Sequence, residues 1–387
     1  MAAPSRLAAD AIDLALAKLL GWRRLGEELR ASYRFPTFPA AVAFAQQLAA
    51  AAEELGHHPQ WTVRYRLVEI VTTTHDAGGL TALDLDLATG VMLLAGTRGG
   101  VVIAGDEVVR APGAWVPPGH FYSPITHSAE VEADADRLFA PGLRELPGVD
   151  QRLPEQLALA LELARFYPDA DFPEQPRPDR RFCLANEYFP YGDAFAYHAL
   201  LRHLQPRQVI EVGAGWSSAV LLDTDERWLG NSIACTFVEP YPDRLLSLMR
   251  PGDVARTRLL RARLQDVPLA EFAALQANDI LFIDSSHVAK TGSDVLHALF
   301  AVLPALRSGV WVHVHDVHAN FEYPAPWVRE GRSWNEAYFM RAFLMHNRDW
   351  EIALHGATLA EYAPEQLLPR MPKLGSNVGG SLWLRKR

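Results

Sequence analysis

The sequence predicts a multidomain chain, with an N-terminal α+β domain (an antiparallel sheet covered by helices) and a C-terminal doubly wound α/β domain. Three observations support this prediction. The chain has 387 residues, more than one ordinary hydrophobic core serves. Residues 1–95 combine helical and alternating strand patterns, whereas from residue 208 onward strands alternate with helices, as in a mainly parallel sheet. A stretch rich in Pro and Gly lies between these patterns, so we assign 96–125 to a connector and 126–387 to the second domain.

The composition limits the class of protein and of partner. Hydrophobic residues make up 49% and charged residues 21%, which is typical of a globular chain. The net charge of -9 argues against nucleic acid or an anionic membrane as the partner. Two cysteines provide neither a disulfide framework nor a zinc spacing, and Asp10 and Asp13 interrupt the N-terminal apolar stretch where a signal peptide needs an uncharged core. We expect a cytoplasmic protein without a membrane or nucleic-acid partner.

The first domain begins with a helix, a hairpin and a second helix. The leading helix is predicted over roughly 7–20, and WRRLGEELRASYRF has the turn and the alternation of a β-hairpin. Thr37 and Pro39 are start signals for the second helix. Gly56 stands where the C-terminal stop of that helix belongs.

A strand region and a final helix complete this domain. The stretch WTVRYRLVEIVTTT is rich in β-branched and aromatic residues, as strands are. Its apolar alternation shifts at residue 68, which predicts a bulge or a break into two strands. Thr81 and Asp84 can cap the final helix, which we expect to run through about residue 95.

The second domain has a helical lead-in, 150–205, and a sheet core, 208–360. The lead-in contains two helical patterns, QLALALELARFY and DAFAYHALLRHL. Strands are predicted in the order QVIEV, IACTFVE, RLLRARL, DILFID and GVWVHVH. Helical stretches lie between most of these strands, which favours the doubly wound arrangement.

Three histidines flank the predicted strand region of the first domain. His57 and His58 stand between Gly56 and Pro59, a bracket that allows a bend between the helix and the strand. His75 follows the strand directly, so a third imidazole reaches the same edge of the sheet. A polar loop, a metal site and an acid/base site are open interpretations. A metal site has less support because no Cys and no HxxxH spacing accompany the histidines, while imidazole is suited to proton transfer near neutral pH.

The stretch AEELGHHPQWTVRYRLVEIVTTTHDAGGLTALDLDLA resembles the pterin-4a-carbinolamine dehydratase family, also called 4a-hydroxytetrahydrobiopterin dehydratase. The resemblance covers roughly residues 8–95 and rests on the combined HHPxW and THxxxGLTxxD patterns. It implies a pterin substrate, no metal or organic cofactor for this reaction, and the loss of water to give the quinonoid dihydropterin. The residues that it implies are catalytic His57, His58 and His75, and substrate-binding Glu53, Thr74 and Asp84.

The resemblance leaves two questions open for this domain. Asp84 could contact the pterin or only cap the final helix, since Thr81-x-x-Asp84 is also a capping box. Members of the family also act as dimerisation or assembly partners, which implies a homo-oligomer formed through this domain. The alternative to an enzyme is therefore a module that only assembles the second domain. Gln60 and Arg66 depart from the usual pattern.

A glycine loop follows the first strand of the second domain. In VIEVGAGWSS, Gly213 and Gly215 lie between that strand and a helix, so backbone N–H groups can approach a ligand closely. Glu211 precedes the loop, Glu239 ends the second strand where a carboxylate can bind ribose hydroxyls, and Asp266 follows the third strand. We predict that these five residues bind a nucleoside-containing cofactor.

The second domain resembles the class I S-adenosylmethionine-dependent methyltransferases, which have a Rossmann-like fold. FYSP, IEVGAGWSSAVLLDT, DILFIDSSHVAKTGSDV, GVWVHVHD and WNEAYF carry this resemblance. It implies S-adenosylmethionine as the cofactor and an acceptor that the sequence does not name. Asp284, His315 and Asp316 follow the fourth and fifth strands, where they could hold a divalent metal, supply a base for the acceptor, or only form a polar rim.

Overall fold

The computed structural model describes residues 5–102 and 121–387 and divides the chain into two compact units, 1–117 and 118–387. The predicted fold class is confirmed, because an antiparallel sheet with helices is followed by a mixed sheet with the methyltransferase-type alternation. Part of the predicted connector, 103–120, lies outside the described residues. The first residues of the predicted connector belong to the first unit, because Val101–Val102 forms a short strand that pairs with the sheet of that unit.

The first unit contains three helices and five strands among its described residues. The helices are α1 (Ala9–Leu16), α2 (Phe38–Leu55) and α3 (Ala82–Thr97), and His75–Ala77 forms a 3₁₀ turn. The strands are β1 (Arg23–Leu25), β2 (Glu28–Arg34), β3 (Gln60–Arg64), β4 (Leu67–Thr72) and β5 (Val101–Val102). They are antiparallel in the order β1-β2-β4-β3, with β5 also paired to β2. Helices α2 and α3 pack on this sheet and enclose the core of the unit.

Local signals place the residues that follow α2. Thr37 Oγ1 accepts a hydrogen bond from Ala40 N at 3.2 Å and caps the start of the helix. Gly56 ends it with a positive φ of 59°, a conformation that glycine adopts without strain. The predicted break in the strand region is confirmed, since β3 and β4 form a hairpin that turns at Tyr65, where φ is 53°. His57 therefore lies at the junction of α2 and this hairpin.

The second unit is an α/β domain with seven strands. The strands are β6 (Gln208–Val212), β7 (Ala234–Val238), β8 (Arg258–Leu260), β9 (Ile280–Ile283), β10 (Trp311–Val314), β11 (Trp350–His355) and β12 (Leu382–Lys386). The helices are α4 (Ser128–Ala133), α5 (Ala135–Leu138), α6 (Leu153–Leu163), α7 (Tyr191–Leu204), α8 (Trp216–Trp228), α9 (Asp243–Leu248), α10 (Pro251–Arg256), α11 (Leu269–Ala273), α12 (Asp294–His297), α13 (Leu303–Ala305), α14 (Ala325–Arg329), α15 (Glu336–Leu344), α16 (Gly356–Tyr362) and α17 (Pro364–Leu367). Shorter turns are 3₁₀ at Ala164–Asp169, Leu264–Asp266, Ala319–Phe321 and Pro372–Gly375, and π-helical at Ala298–Val302.

The order of this sheet is β11-β12-β10-β9-β6-β7-β8. Strands β6 to β10 are parallel, whereas β12 is antiparallel to both β10 and β11. The sheet thus extends beyond the range 208–360 that the sequence suggested, because β12 lies near the C-terminus and inserts between two earlier strands. Reversal of order beside β6 creates the crevice at which open α/β sheets bind ligands. None of the described helices is long and apolar enough to cross a membrane.

A buried ion cluster centres on Arg181. Its guanidinium, 3% exposed, donates to Asp253 at 2.7 Å, to Asp223 at 2.9 Å and to Glu226 at 2.6 Å. Arg181→Met is expected to lower the free energy of unfolding of the second unit by about 3–5 kcal/mol, because buried carboxylates lose their counter-charge. Urea unfolding measures this. The exposed Arg177→Met is the control, and a loss below about 1 kcal/mol for both variants would contradict the account.

His198 makes the second unit sensitive to acid. Burial lowers the pKa of this side chain to about 3, and its Nδ1 lies 3.0 Å from Thr224 Oγ1. Because the unfolded chain protonates His198 near pH 6.5, this contribution to stability is present above that pH and is lost as pH falls toward about 3. We expect the wild type to lose up to about 1.4 kcal/mol more per pH unit than His198→Phe between pH 6 and 4. Urea unfolding at several pH values checks this, and parallel slopes for the two proteins would refute it.

Candidate functional site

A buried hydrogen-bond network in the first unit centres on the carboxylate of Asp84. Oδ1 accepts a hydrogen bond from Thr72 Oγ1 at 2.8 Å and lies 2.8 Å from His57 Nε2. Oδ2 accepts from Thr74 Oγ1 at 2.7 Å and from the backbone N–H of Thr81 at 2.9 Å. Asp84 lies in the first turn of α3, where it completes a capping box with Thr81. The one carboxylate therefore caps the helix and contacts the histidine.

The ionisation of Asp84 fixes the proton on His57. Burial alone raises the pKa of Asp84, but the hydrogen bonds from Thr81, Thr74 and Thr72 outweigh it and hold the pKa below its usual value. A carboxylate only accepts hydrogen bonds, so His57 Nε2 must be the donor. In a neutral imidazole the other ring nitrogen, Nδ1, then keeps its lone pair. That nitrogen is able to accept a proton.

The other two histidines of this set lie at the surface. His58 Nε2 is 2.9 Å from Glu53 Oε2, and both side chains are exposed. His75 begins the 3₁₀ turn directly after Thr74 and is also exposed. Within the described part of the chain, no side-chain hydrogen bond or ion pair involves His75. The predicted residues thus form one buried network, one exposed pair and one separate histidine.

A cavity of about 570 Å³ lies in the second unit where β6, β7, β9 and β10 end. Its walls come from the glycine loop, from the segments after these strands and from an aromatic segment after α14. The lining residues are Glu187, Tyr188, Phe189, Gly213, Ala214, Gly215, Trp216, Ser217, Glu239, Arg244, Asp284, Ser285, Ser286, His287, His315, Asp316, Trp327, Arg332 and Trp334. Both polar and aromatic groups therefore face the space.

The glycine loop is held by hydrogen bonds to Glu211 and by close packing against Asp284. Glu211 is fully buried and accepts hydrogen bonds from Ser217 and Ser218, while burial raises its pKa to about 8. Gly213 has a φ of 80°, and a Cβ there would be 1.6 Å from the carbonyl oxygen of Asp284. Only glycine fits this position. The loop therefore runs closely against the end of β9.

Glu239 faces the loop from the end of β7. Its Oε2 accepts from Ala214 N at 3.1 Å, and its Oε1 accepts from Tyr241 N at 2.8 Å. Each carboxylate oxygen has a second lone pair, and the side chain lines the cavity. The carboxylate can accept hydrogen bonds from a ligand with hydroxyl groups.

Two buried histidines that line this cavity lie among carboxylates. His287 Nε2 lies 3.3 Å from Asp284 and 3.5 Å from Asp316, and its Nδ1 lies 3.0 Å from Glu336. His315 Nδ1 lies 3.4 Å from Asp284 and 3.7 Å from Asp316. On the other side of the ring, His315 Nε2 lies 3.2 Å from a further buried carboxylate, that of Asp193. Each imidazole is therefore flanked by acids at both ring nitrogens.

These carboxylates keep both imidazoles protonated. Burial lowers the pKa of His287, but Asp284 and Glu336 raise it to about 10. Burial also lowers the pKa of His315, but nearby carboxylates, chiefly that of Asp284, raise it well above its usual value. A protonated imidazole has no lone pair for a metal or for a proton. Among residues 5–102 and 121–387, no group of three or more His, Cys, Asp or Glu side chains has a geometry that could hold a metal ion.

Comparison with known proteins matches each unit to a family. Residues 5–92 match the model of pterin 4 alpha carbinolamine dehydratase. A protein of Roseiflexus sp. (strain RS-1), named "Putative pterin-4-alpha-carbinolamine dehydratase", is 48% identical over 85 residues, 22% of this chain and 91% of the relative. The chain belongs to the pterin-4a-carbinolamine dehydratase family. Residues 210–317 match a methyltransferase domain, so the dehydratase-family domain is joined to a methyltransferase domain.

Two further matches were found for this dehydratase-family chain. An uncharacterized protein of Archaeoglobus fulgidus is 33% identical over 186 residues, which are 46% of this chain and 82% of the relative. Among solved structures, a methyltransferase of Podospora anserina bound to S-adenosylhomocysteine is 13% identical. The match covers 67% of this chain and 95% of the Podospora anserina chain, with a TM-score of 0.35.

The structure brings most, but not all, of the predicted methyltransferase residues to the cavity. Gly213, Gly215 and Glu239 line it, whereas Glu211 lies beneath the loop and contacts it through serines. Asp266 is half exposed, forms an ion pair with Arg263 at 2.8 Å and is not among the lining residues. The sequence groups Asp266 with the others because it follows the third strand; that strand ends at Leu260, and Asp266 lies in the 3₁₀ turn Leu264–Asp266.

Several functional residues were not found by sequence reasoning. Thr72 of the dehydratase domain contacts His57, and in the methyltransferase domain Asp193 contacts His315 and Glu336 contacts His287. Thr72 had a signal, since it shares its strand face with Thr74 two residues later. Asp193 and Glu336 had none, because they lie 122 and 49 residues from their partners.

Proposed function

We propose that the dehydratase domain removes water from 4a-hydroxytetrahydrobiopterin (pterin-4a-carbinolamine) to give the quinonoid dihydropterin. We further propose that the methyltransferase domain transfers a methyl group from S-adenosylmethionine to an acceptor whose identity is open. The family match of residues 5–92 supports the first part, and the match of residues 210–317 supports the second.

The hydrogen bond between His57 and Asp84 carries the dehydratase proposal. Dehydration breaks the C4a–O bond, so the departing hydroxyl must gain a proton as water forms, while a ring nitrogen loses its proton as the new double bond forms. The ionised Asp84 leaves His57 Nδ1 as a proton acceptor for the ring nitrogen. We assign delivery of the other proton to the two exposed histidines, His58 and His75. Glu53 orients His58 for this role.

The full-length protein and a His57→Ala variant test this proposal in an assay of 4a-hydroxytetrahydropterin dehydration. The wild type is expected to exceed the spontaneous rate, and the variant is expected to be slower by about 100-fold or more, in line with the loss of a positioned acid/base group. His127→Ala is the matched control, since it removes an exposed histidine of the other unit. Equal rates for wild type and His57→Ala would overturn the proposal.

The methyltransferase proposal rests on the lining of the cavity. When bound, S-adenosylmethionine supplies an activated methyl group. Gly213, Ala214 and Gly215 line the site, so a ligand can approach the backbone closely there, and the lone pairs of Glu239 suit ribose hydroxyls. His287 and His315 lie within ion-pair distance of Asp284 and Asp316, so we assign this group to the polar rim of the cavity.

We also propose that the dehydratase domain forms a homo-oligomer, as the sequence resemblance implied. Strand β3 lies at one edge of its sheet and most of its side chains are exposed. An unpaired edge strand can pair with another chain. Assembly and catalysis are compatible, because the network around Asp84 is buried inside one chain.

A further inference from the structure

Arg244 lies across the glycine loop of the methyltransferase cavity. It belongs to the first turn of α9, which follows β7 and Glu239. A Cβ built on Gly215 would lie 3.2 Å from Arg244 Cδ, so the side chain covers the loop closely. The same side chain lines the cavity of about 570 Å³. Its charged end therefore faces the space beside the loop.

Tyr188 holds the guanidinium of Arg244 in place. The guanidinium carbon is 3.8 Å from the centroid of the tyrosine ring, a close cation–π contact, and Tyr188 also lines the cavity. Stacking on an aromatic ring leaves the N–H groups at the edge of the guanidinium free to bind a ligand. In the described ranges 5–102 and 121–387, no hydrogen bond or ion pair of this guanidinium with another side chain is present.

The charges around Arg244 indicate what it binds. Two acidic side chains, Glu187 and Glu239, line the cavity together with Arg244. The second arginine of the lining, Arg332, already pairs with Glu330 at 2.8 Å and lies over Trp327. Acidic groups suit the cationic sulfonium and ammonium of S-adenosylmethionine, but they repel its carboxylate. That carboxylate needs a cation as its partner. Of the two arginines that line the cavity, Arg244 is the one for which the described residues provide no ion pair.

We propose that Arg244 binds the carboxylate of the amino-acid part of S-adenosylmethionine, with Tyr188 fixing the orientation of the guanidinium. This inference rests on the proposed function, since it requires the cavity to bind that cofactor. A guanidinium and a carboxylate form two parallel, charge-assisted hydrogen bonds, which gives orientation as well as affinity. The bond would fix the amino-acid end of the cofactor over the glycine loop.

Calorimetry on the full-length protein tests the assignment with two ligands. One is S-adenosylhomocysteine, and the other is its decarboxylated analogue, S-adenosyl-3-thiopropylamine, which lacks only the carboxylate. In the wild type, removal of the carboxylate is expected to raise Kd about 10- to 100-fold, as for hydrogen bonds to charged groups. In Arg244→Met the two ligands are expected to bind with nearly equal Kd. Arg258→Met, which removes an exposed arginine paired with Glu271, is expected to behave as the wild type.

The outcomes separate this inference from the function on which it rests. Failure of S-adenosylhomocysteine to bind the wild type would overturn the proposed methyltransferase activity itself. Equal binding of both ligands to the wild type would refute only the role of Arg244. So would an Arg244→Met variant that weakens both ligands by the same factor, because the arginine would then contact the adenosine part. Tyr188→Leu is expected to weaken S-adenosylhomocysteine binding, and Tyr188→Phe, which keeps the ring, is expected to restore it.

Discussion

An Asp84→Asn variant is expected to dehydrate 4a-hydroxytetrahydropterin about 10- to 100-fold more slowly than the wild type, the usual cost of losing a group that orients a functional histidine. The buried carboxylate accepts from His57 Nε2 at 2.8 Å and so fixes which ring nitrogen carries the proton. The amide of Asn can turn its own N–H toward the ring, which would reverse the donor and acceptor roles. His57 Nδ1 would then be a donor rather than a base. Steady-state kinetics with kcat and KM measured separately checks this.

The control for Asp84→Asn lies on the same helix. Asp86 is exposed, so Asp86→Asn removes the same charge from α3 without touching His57. Its rate should equal that of the wild type. Because Asp84 also caps α3, thermal unfolding of both variants must accompany the kinetics. A folded Asp84→Asn variant with the wild-type rate would contradict the role that we give to the carboxylate.

Gly213→Ala is expected to weaken binding of S-adenosylhomocysteine, with Kd raised about 100-fold or more. The added Cβ would lie 1.6 Å from the carbonyl oxygen of Asp284, and the backbone φ of 80° is strained for any residue with a side chain. The loop must therefore move away from β9, which changes the wall that the loop gives to the cavity. The positive φ alone costs a residue with a side chain on the order of 1–3 kcal/mol in backbone strain. Calorimetry measures the loss.

Gly230→Ala separates the clash from the backbone strain. Gly230 has a similar φ of 68°, but nothing lies within 4 Å of a Cβ placed there. This variant shares the strain and lacks the collision, so it should bind S-adenosylhomocysteine as the wild type does. Normal binding by Gly213→Ala, or an equal loss in both variants, would show that close packing of the loop on Asp284 does not matter.

The sequence predicted the fold where patterns are local. Alternation of apolar residues located β2 and the shift at residue 68 predicted the turn between β3 and β4. Thr37 and Gly56 marked the ends of α2 because caps act within one helical turn. The sequence did not predict strand β12, since its place between β10 and β11 depends on pairing with residues far away in sequence. Periodicity within a window carries no information on such partners.

The candidate sites divide in the same way. The three histidines and the glycine loop stand out as short motifs, but motifs do not show which carboxylate faces which ring. Asp84 could be assigned to a cap or to a site, and the structure gives it both tasks. Asp193 meets His315 only through folding over 122 residues. The role of Asp266 stays a prediction: it follows the third strand as expected, but its side chain pairs with Arg263 and is not among the residues that line the cavity.

The tautomer of His57 tests the central claim most directly. Nitrogen-15 NMR of histidine side chains in the full-length protein, with the His57 signals assigned by their loss in His57→Ala, distinguishes the two neutral forms. The hydrogen bond to ionised Asp84 predicts that the neutral imidazole carries its proton on Nε2 and none on Nδ1. A proton on Nδ1 would contradict the account, because His57 could then not accept a proton from the pterin through that nitrogen.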